Sequence, residues 1–218
     1  MPLIKEVTIL PFSKVLIWHI TEPNTFFLKQ NLWSPDELTW LHSIHPSKQK
    51  DYLASRTLIY QTLAYDSGIR IFKDEFGKPK LTDGLTQLSI SHSEAWTGMS
   101  FGRLNSGFDL QVYADKILHI APRFLNNREL SLIQSIEDPE LTIPLITLFW
   151  CIKEAVYKCF GQKGVHFKEQ ISIHWIHAKE LDIHILNAQL TTTNNLYENY
   201  IIHYAIEKSY AWALALQN

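Results

Sequence analysis

The chain has 218 residues, 46% of them hydrophobic and 12% aromatic, which is enough for a substantial core in one large domain or two packed lobes and too apolar for a disordered chain. A formal net charge of -2 gives no general attraction to nucleic acid or an anionic membrane, so any anion must be held by local basic clusters. The two cysteines, Cys151 and Cys159, lie eight apart on a predicted helix and read as small buried side chains in a reducing compartment. No secretory pattern opens the chain and no apolar run reaches spanning length, so a cytoplasmic protein, away from nucleic acid and membrane, is the expectation.

In chain order, Lys14 to Ile20 reads as a strand on its β-branched and aromatic apolar run. Ser34-Pro35-Asp36-Glu37 then carries the signals of a helix start, with Ser34 as cap, Pro35 in the first turn and Glu37 closing a capping box. Ser47 precedes an amphipathic helix over Asp51 to Tyr65. After Asp66-Ser67-Gly68 the character turns to strand: Ile69 to Phe72, a turn at Phe76 to Pro79, Leu88 to Ser91, Trp96 to Phe101, and Phe108 to Val112 after a turn at Asn105 to Gly107. Helices follow over about Asn126 to Ile136 and Ile143 to Phe160. Strands over Gln170 to His177, Leu181 to Ala188, Tyr200 to Ile206 and Tyr210 to Leu216 close the chain, with a polar loop at Thr191 to Asn195.

Each half, 1–105 and 106–218, thus has a long helix followed by antiparallel strands, and we read the chain as an α+β protein of two similar lobes with a cleft between them. No letter-by-letter repeat accompanies that duplication.

Asp109 interrupts Gly107-Phe108-Asp109-Leu110-Gln111-Val112, where a carboxylate among large apolar residues needs water, a base or a metal. Alternation puts Asp109 and Gln111 on one face of the strand. With Glu154 they offer hard oxygen donors suited to Mg²⁺ on a phosphate, against the plainer reading of an edge-strand Asp satisfied by turn amides. Glu154 and Lys158 stand at i,i+4, a spacing that surface ion pairs share. Lys153 lies at the rim of the apolar stripe, where its stem is buried and its head can snorkel. Ser91-His92-Ser93, Lys78 and Arg56 are further candidates for phosphate, each with a solvated alternative. His174 and His177 read as surface residues, since nothing nearby completes a four-ligand zinc site.

Four of these pieces, in order, resemble the 4'-phosphopantetheinyl transferase superfamily, in particular its larger two-lobed members. They are Arg56 in the first long helix, Phe76-Gly77-Lys78-Pro79 with Ser91-His92-Ser93 after it, Gly107 to Gln111, and Trp150 to Lys158; Arg123-Phe124 followed by Glu129 resembles the segment joining the last two. The resemblance implies a pseudo-twofold fold in which each lobe packs a long helix on an antiparallel sheet. It implies transfer of 4'-phosphopantetheine from coenzyme A to a serine of an acyl or peptidyl carrier protein, with Mg²⁺ as cofactor; a monomer is the separate expectation for the chain. In that scheme Asp109 and Glu154 hold the cation, with Gln111 as a neutral third ligand where the usual pattern has Glu. Lys158 neutralises the transferring phosphoryl, Arg56, Lys78, Ser91, His92 and Lys153 serve the CoA side, and Glu129 or Glu154 takes the serine proton. Gln111 and the thin basic character of Ala114-Asp115-Lys116 motivate the competing expectation, a non-catalytic homologue that binds CoA or a carrier protein.

Overall fold

The computed structural model describes residues 3–10, 13–30, 32–63, 68–174, 184–194 and 196–217. The chain opens with the hairpin β1 (Leu3–Leu10) and β2 (Ser13–His19), followed by a short α1 (Asn24–Leu28), α2 (Pro35–Ser43) and the long α3 (Pro46–Thr62). Then come β3 (Ile71–Lys73), β4 (Pro79–Leu81), β5 (Gln87–Ser93), β6 (Trp96–Gly102) and β7 (Ser106–Val112). The remainder holds α4 (Lys116–Phe124), α5 (Asn127–Gln134), a 3-10 turn at Pro139–Leu141, α6 (Thr142–Phe160), a short α7 (Phe167–Gln170), β8 (Ile171–His174), β9 (His184–Thr191), β10 (Tyr197–Ile206) and β11 (Tyr210–Gln217). No described helix is long and apolar enough to cross a membrane.

Local chemistry sets the helix ends. Ser34 and Glu37 form the reciprocal capping box at α2, with Pro35 at its first position. The long α3 begins earlier than its periodicity suggests. Pro46, whose φ is already helical, opens it, and the His45 side chain rather than Ser47 is the cap. At the other end of the molecule α6 stops at Gly161, whose φ of 74° is the left-handed conformation that closes a helix cheaply only with glycine.

The strands form two antiparallel sheets, ordered β1-β2-β6-β5-β4-β3 and β7-β11-β10-β9-β8. Apart from β1, the two orders are the same winding used twice: a first strand (β2 or β7), a long helix (α3 or α6), then four strands of which the last returns to pair with the first. The architecture is α+β, two-lobed, with a long helix on each sheet. Leu16 and Trp18 on β2 pack under α3 with Leu53, Ala54 and Leu58. Around α6, Leu148, Phe149, Ile152 and Val156 pack with Ile171, Leu186, Tyr200 and Ile202. A third apolar layer lies between the sheets, where Val15 and Ile17 meet Phe108, Leu110 and Trp212. Alternation along β2 and β7 therefore sends one set of side chains to the shared layer and the other to each lobe's own helix. Under α3 that second set is apolar; under α6 it contains Asp109 and Gln111.

The edge of β7 is served by hydroxyls instead of a neighbouring strand. On β5, Ser89 Oγ accepts from the Phe108 amide at 2.8 Å and Ser93 Oγ from the Val112 amide at 3.1 Å, while Ser91 Oγ donates to Asp109 Oδ1 at 2.7 Å. Period-two spacing on β5 places all three on the face turned to β7. The amides of an exposed or buried edge must find partners, and these serines supply them.

Gly107 lets α6 lie directly on β7. A Cβ there would stand 2.0 Å from the Ala155 carbonyl oxygen and 2.4 Å from the Cys159 amide nitrogen, both backbone atoms. Gly107→Ala must push the helix away, and we expect it to cost about 3 kcal/mol or more, seen as a lower urea midpoint at unchanged m-value.

Five elements and the 3-10 turn had no counterpart in the sequence reading, the elements being β1, α1, β4, α7 and α4. The last was legible, since Ile117, Ala121 and Phe124 recur at helical spacing and are all buried. The predicted end of the first long helix beyond Leu63, the strand stretch from Trp175 to His177 with the start of its neighbour at Leu181, and Asn195 lie outside the described residues.

Candidate active site

Asp109 and Lys158 meet where β7, β5 and α6 converge. Asp109 is 6% exposed, and its Oδ1 accepts from Lys158 Nζ at 2.7 Å as well as from Ser91. Lys158 Nζ also donates to the carbonyls of Phe108, at 3.1 Å, and Ile90, at 3.4 Å. The ammonium thus ties α6 to both sheets. One turn earlier on the same side of the helix stands Glu154. Its carboxyl is pushed up to about 7, first by burial and then by the Asp109 charge, with Lys158 pulling the other way. Cys151, a further turn back and fully buried, lies against the same carboxylate, and burial with the Asp109 charge holds its thiol well above the usual range. One helix face therefore presents Cys151, Glu154 and Lys158 to Asp109.

A groove of about 880 Å³ opens beside this cluster, walled by α2, α3 and the β3–β4 hairpin. Arg56 lines it with its guanidinium carbon 5.3 Å from the Tyr52 ring centre, and its Nη1 is buried without a hydrogen-bond partner. His92 faces the same groove, with Nε2 3.7 Å from Asp51 Oδ2, and Asp51 also accepts from Lys48 at 3.3 Å. Burial lowers the imidazole pKa, while the Asp51 charge opposes that. A smaller cavity of about 240 Å³ shares Gly77, Pro79 and Ile90 with the groove and reaches Lys158. The groove is lined by three cations, Lys48, Arg56 and Lys73, and by three acids, Asp36, Glu37 and Asp51, while the smaller cavity carries Lys78, Lys158 and Lys163, so cations able to meet a polyphosphate lie in both.

Other candidates sit elsewhere. Lys78 Nζ, its pKa lowered by burial, donates to Asn105 Oδ1 at 2.8 Å and to the Cys159 carbonyl at 3.1 Å, so it caps the C-terminal end of α6 from the opposite lobe while lining the smaller cavity. Ser91 points at Asp109 rather than into the groove. Gln111 donates from Nε2 to the Val112 carbonyl at 3.3 Å and lines a separate cavity. Lys153 does not snorkel: its side chain is 0% exposed and its ammonium lies 2.8 Å from Glu129 Oε2. Glu129 is at once the capping-box residue of α5 and the acceptor for the Ile173 amide at 3.2 Å. The structure therefore brings together Asp109, Glu154, Lys158 and Ser91, sets Arg56 and His92 along the adjoining groove, and pairs Glu129 with Lys153.

Residues the sequence reading passed over include Ser89, Asp51, Asn105 and Cys151. The alternation of Ser89, Ser91 and Ser93 on one strand face was visible, but what it faces depends on how the two sheets meet.

Among the described residues no group of three or more His, Cys, Asp or Glu could hold a metal. The donor set is two carboxylates, Asp109 and Glu154, with oxygen chemistry throughout. That fits Mg²⁺, which keeps several positions for water and substrate phosphate rather than demanding a full protein cage.

A search of curated proteins finds no match. The family model of the 4'-phosphopantetheinyl transferase superfamily matches residues 107–215, the stretch that runs from Gly107 through Asp109, Glu154 and Lys158 to β11. The chain belongs to the 4'-phosphopantetheinyl transferase superfamily.

Proposed function

We propose that the protein transfers 4'-phosphopantetheine from coenzyme A to a serine of an acyl or peptidyl carrier protein, with Mg²⁺ held by Asp109 and Glu154. The supporting observation is the contact of Lys158 with Asp109 beside Glu154, next to a lysine-lined cavity that adjoins the large groove. In this reading residues 1–105 and 106–218 are the two lobes, and the donor runs from the groove of the first lobe into the smaller cavity, which both lobes line. Arg56 and His92 hold the nucleotide and its 3'-phosphate, and Lys78 flanks the smaller cavity next to them.

A bound Mg²⁺ would supply charge neutralisation on the pyrophosphate. The chain's own part is positioning and electrostatics, which dominate phosphoryl transfer. Lys158 is fixed by two carbonyls and a carboxylate, so its ammonium is already in place when negative charge builds on the transferring phosphoryl. Glu154 receives the proton of the carrier serine, directly or through one water. The serine oxygen bonds to the β-phosphorus as the bond from that phosphorus to the bridging oxygen breaks, and adenosine 3',5'-bisphosphate leaves. Ser91 acts by orienting Asp109, and Glu129 by holding Lys153, rather than by touching substrate.

The test is incubation with CoA, Mg²⁺ and an apo carrier protein from the same cell, read by mass. Addition of one phosphopantetheine to the carrier is expected; folded enzyme that modifies no plausible carrier rejects the reading.

One observation favours the competing view of a non-catalytic CoA-binding homologue. The third position of the strand motif is Gln111, and its side chain lines another cavity. Calorimetry with CoA separates the two, because binding by the catalytic form tightens with Mg²⁺ and that of a binding-only homologue is indifferent to it.

A further inference from the structure

Four segments of the chain meet around one carbonyl near the C-terminal end of α6. Lys78, just before β4, donates from Nζ to the Cys159 carbonyl at 3.1 Å and to Asn105 Oδ1 at 2.8 Å. Asn105, in the turn between β6 and β7, donates from Nδ2 to the same carbonyl at 3.0 Å and to Gln217 Oε1, at the end of β11, at 2.9 Å. Its backbone carbonyl accepts from the Gln217 amide at 3.3 Å and from the Cys159 thiol at 3.4 Å. Both N–H donors of the Asn105 amide and its oxygen are thus committed.

The last carbonyls of a helix lack intrahelical partners and carry the negative end of its dipole, which suits an ammonium and an amide. What the pair holds is the turn that matters most for the site. Cys159 follows Lys158, whose ammonium lies 2.7 Å from Asp109, and Glu154 stands one turn earlier. Gly107 seats the same turn on β7. The end of α6 is therefore fixed against one strand and tied to the opposite lobe.

Lys78 also lines the smaller cavity, but a phosphate taking its ammonium must break two hydrogen bonds across the lobes. Asn105 lines neither that cavity nor the groove. We propose that Lys78 and Asn105 are positioning residues, which act through α6 by fixing Lys158 and Glu154 in place and not by touching the donor. The proposal rests on the transferase reading above. Displacement of reacting groups by about 1 Å can cost about a hundredfold in rate, so loosening one helical turn is enough to be seen.

The experiment compares the wild-type protein, Lys78→Met, Asn105→Ala and the double variant. Methionine keeps a stem beside Gly161 and removes the ammonium. Three quantities are read: kcat with CoA, Mg²⁺ and an apo carrier protein, the Kd for CoA by calorimetry, and amide hydrogen exchange over the last turn of α6 in the ligand-free protein. Each single variant is expected to lower kcat about ten- to a hundredfold, to leave the Kd for CoA unchanged and to speed the exchange. The double variant should lose no more than the worse single one, because both act on one carbonyl. A weakened Kd for CoA in Lys78→Met with normal kcat in Asn105→Ala overturns the proposal and gives the ammonium to the donor. Normal kcat in Lys78→Met, or unchanged exchange in both variants, also overturns it. If Asn105→Ala does not fold, Lys78→Met decides alone, through the split between kcat and CoA affinity. A wild-type protein that modifies no carrier removes the transferase reading and this proposal together, whereas an active wild type with equally active variants removes this proposal alone.

Discussion

Glu129→Ala is expected to destabilise the protein by about 3–5 kcal/mol, enough to consume much of the stability of an ordinary domain. Lysine has three N–H donors, and those of Lys153 go to Glu129 Oε2 at 2.8 Å, the Phe167 carbonyl at 3.0 Å and the Ile171 carbonyl at 2.8 Å. Glu129 in turn accepts the Asn126 amide at 2.9 Å as well as the Ile173 amide. This network pins the start of α5 and the α7–β8 corner to α6. Removing the acid strands an ammonium that is 0% exposed, where burial already lowers its pKa and Glu129 is what raises it again. The pH dependence carries a sign that a simple packing defect lacks. In Glu129→Gln the pKa of folded Lys153 falls further below the unfolded value, so between the two the unfolded chain holds a proton that the native protein does not. Stability of the variant should therefore rise as pH is raised toward about 10.5. Urea melts of wild type and Glu129→Gln at several alkaline pH values check this, and parallel curves would mean that Lys153 is not the stranded charge.

Glu154→Gln is expected to lower turnover by a thousandfold or more, of the order of general-base loss compounded with a lost cation ligand, while the fold survives. The same residue makes a second prediction that does not depend on turnover. With its carboxyl near pH 7, about half of the molecules carry a proton there at neutral pH, and a cation bound to the carboxylate must displace it. Calorimetric titration with Mg²⁺ in buffers of different ionisation heat should show about half a proton released at pH 7, approaching one near pH 5.5. In Glu154→Gln the release should vanish. The stability linkage runs the same way. A carboxyl whose folded pKa is raised is most favourable when protonated, so metal-free protein should lose up to about 3 kcal/mol as pH rises from about 4.5 to about 7, and remain level above that. Metal-free melts that are flat across this window would show that Glu154 is better solvated than its position on the inward side of α6 suggests.

The parts of this molecule that were readable from sequence are those whose cause is local. The capping box of Ser34 and Glu37, the long helices, most strand positions and the spacing of Asp109, Glu154 and Lys158 all follow from periodicity, turn chemistry or short motifs. Lys153 shows the limit. Its place at the rim of an apolar stripe argues for a head in solvent, but the decisive partner, Glu129, is 24 positions earlier and is brought in by a helix cap. Ser91 likewise reads as an anion-binding hydroxyl until β5 is set against β7, when its nearest acceptor proves to be Asp109. The duplication was legible as an order of elements and invisible as letters, because the winding fixes where strands and helices lie and leaves open which residues fill a given face. At the same helix-facing level one lobe has Leu16 and Trp18 and the other Asp109 and Gln111.

The serines of β5 that serve the edge of β7 have a consequence for how the molecule can move. A backbone ladder fixes register, since a slip of one residue turns every side chain over. Hydroxyls at the tips of single-bond rotors impose no such rule, and each contact breaks and re-forms on its own. Along this edge the two sheets are fastened by separate clasps instead of a zip, so any one hydroxyl bond can open without unpairing a strand, while the apolar layer of Val15, Ile17, Phe108 and Trp212 keeps the sheets together.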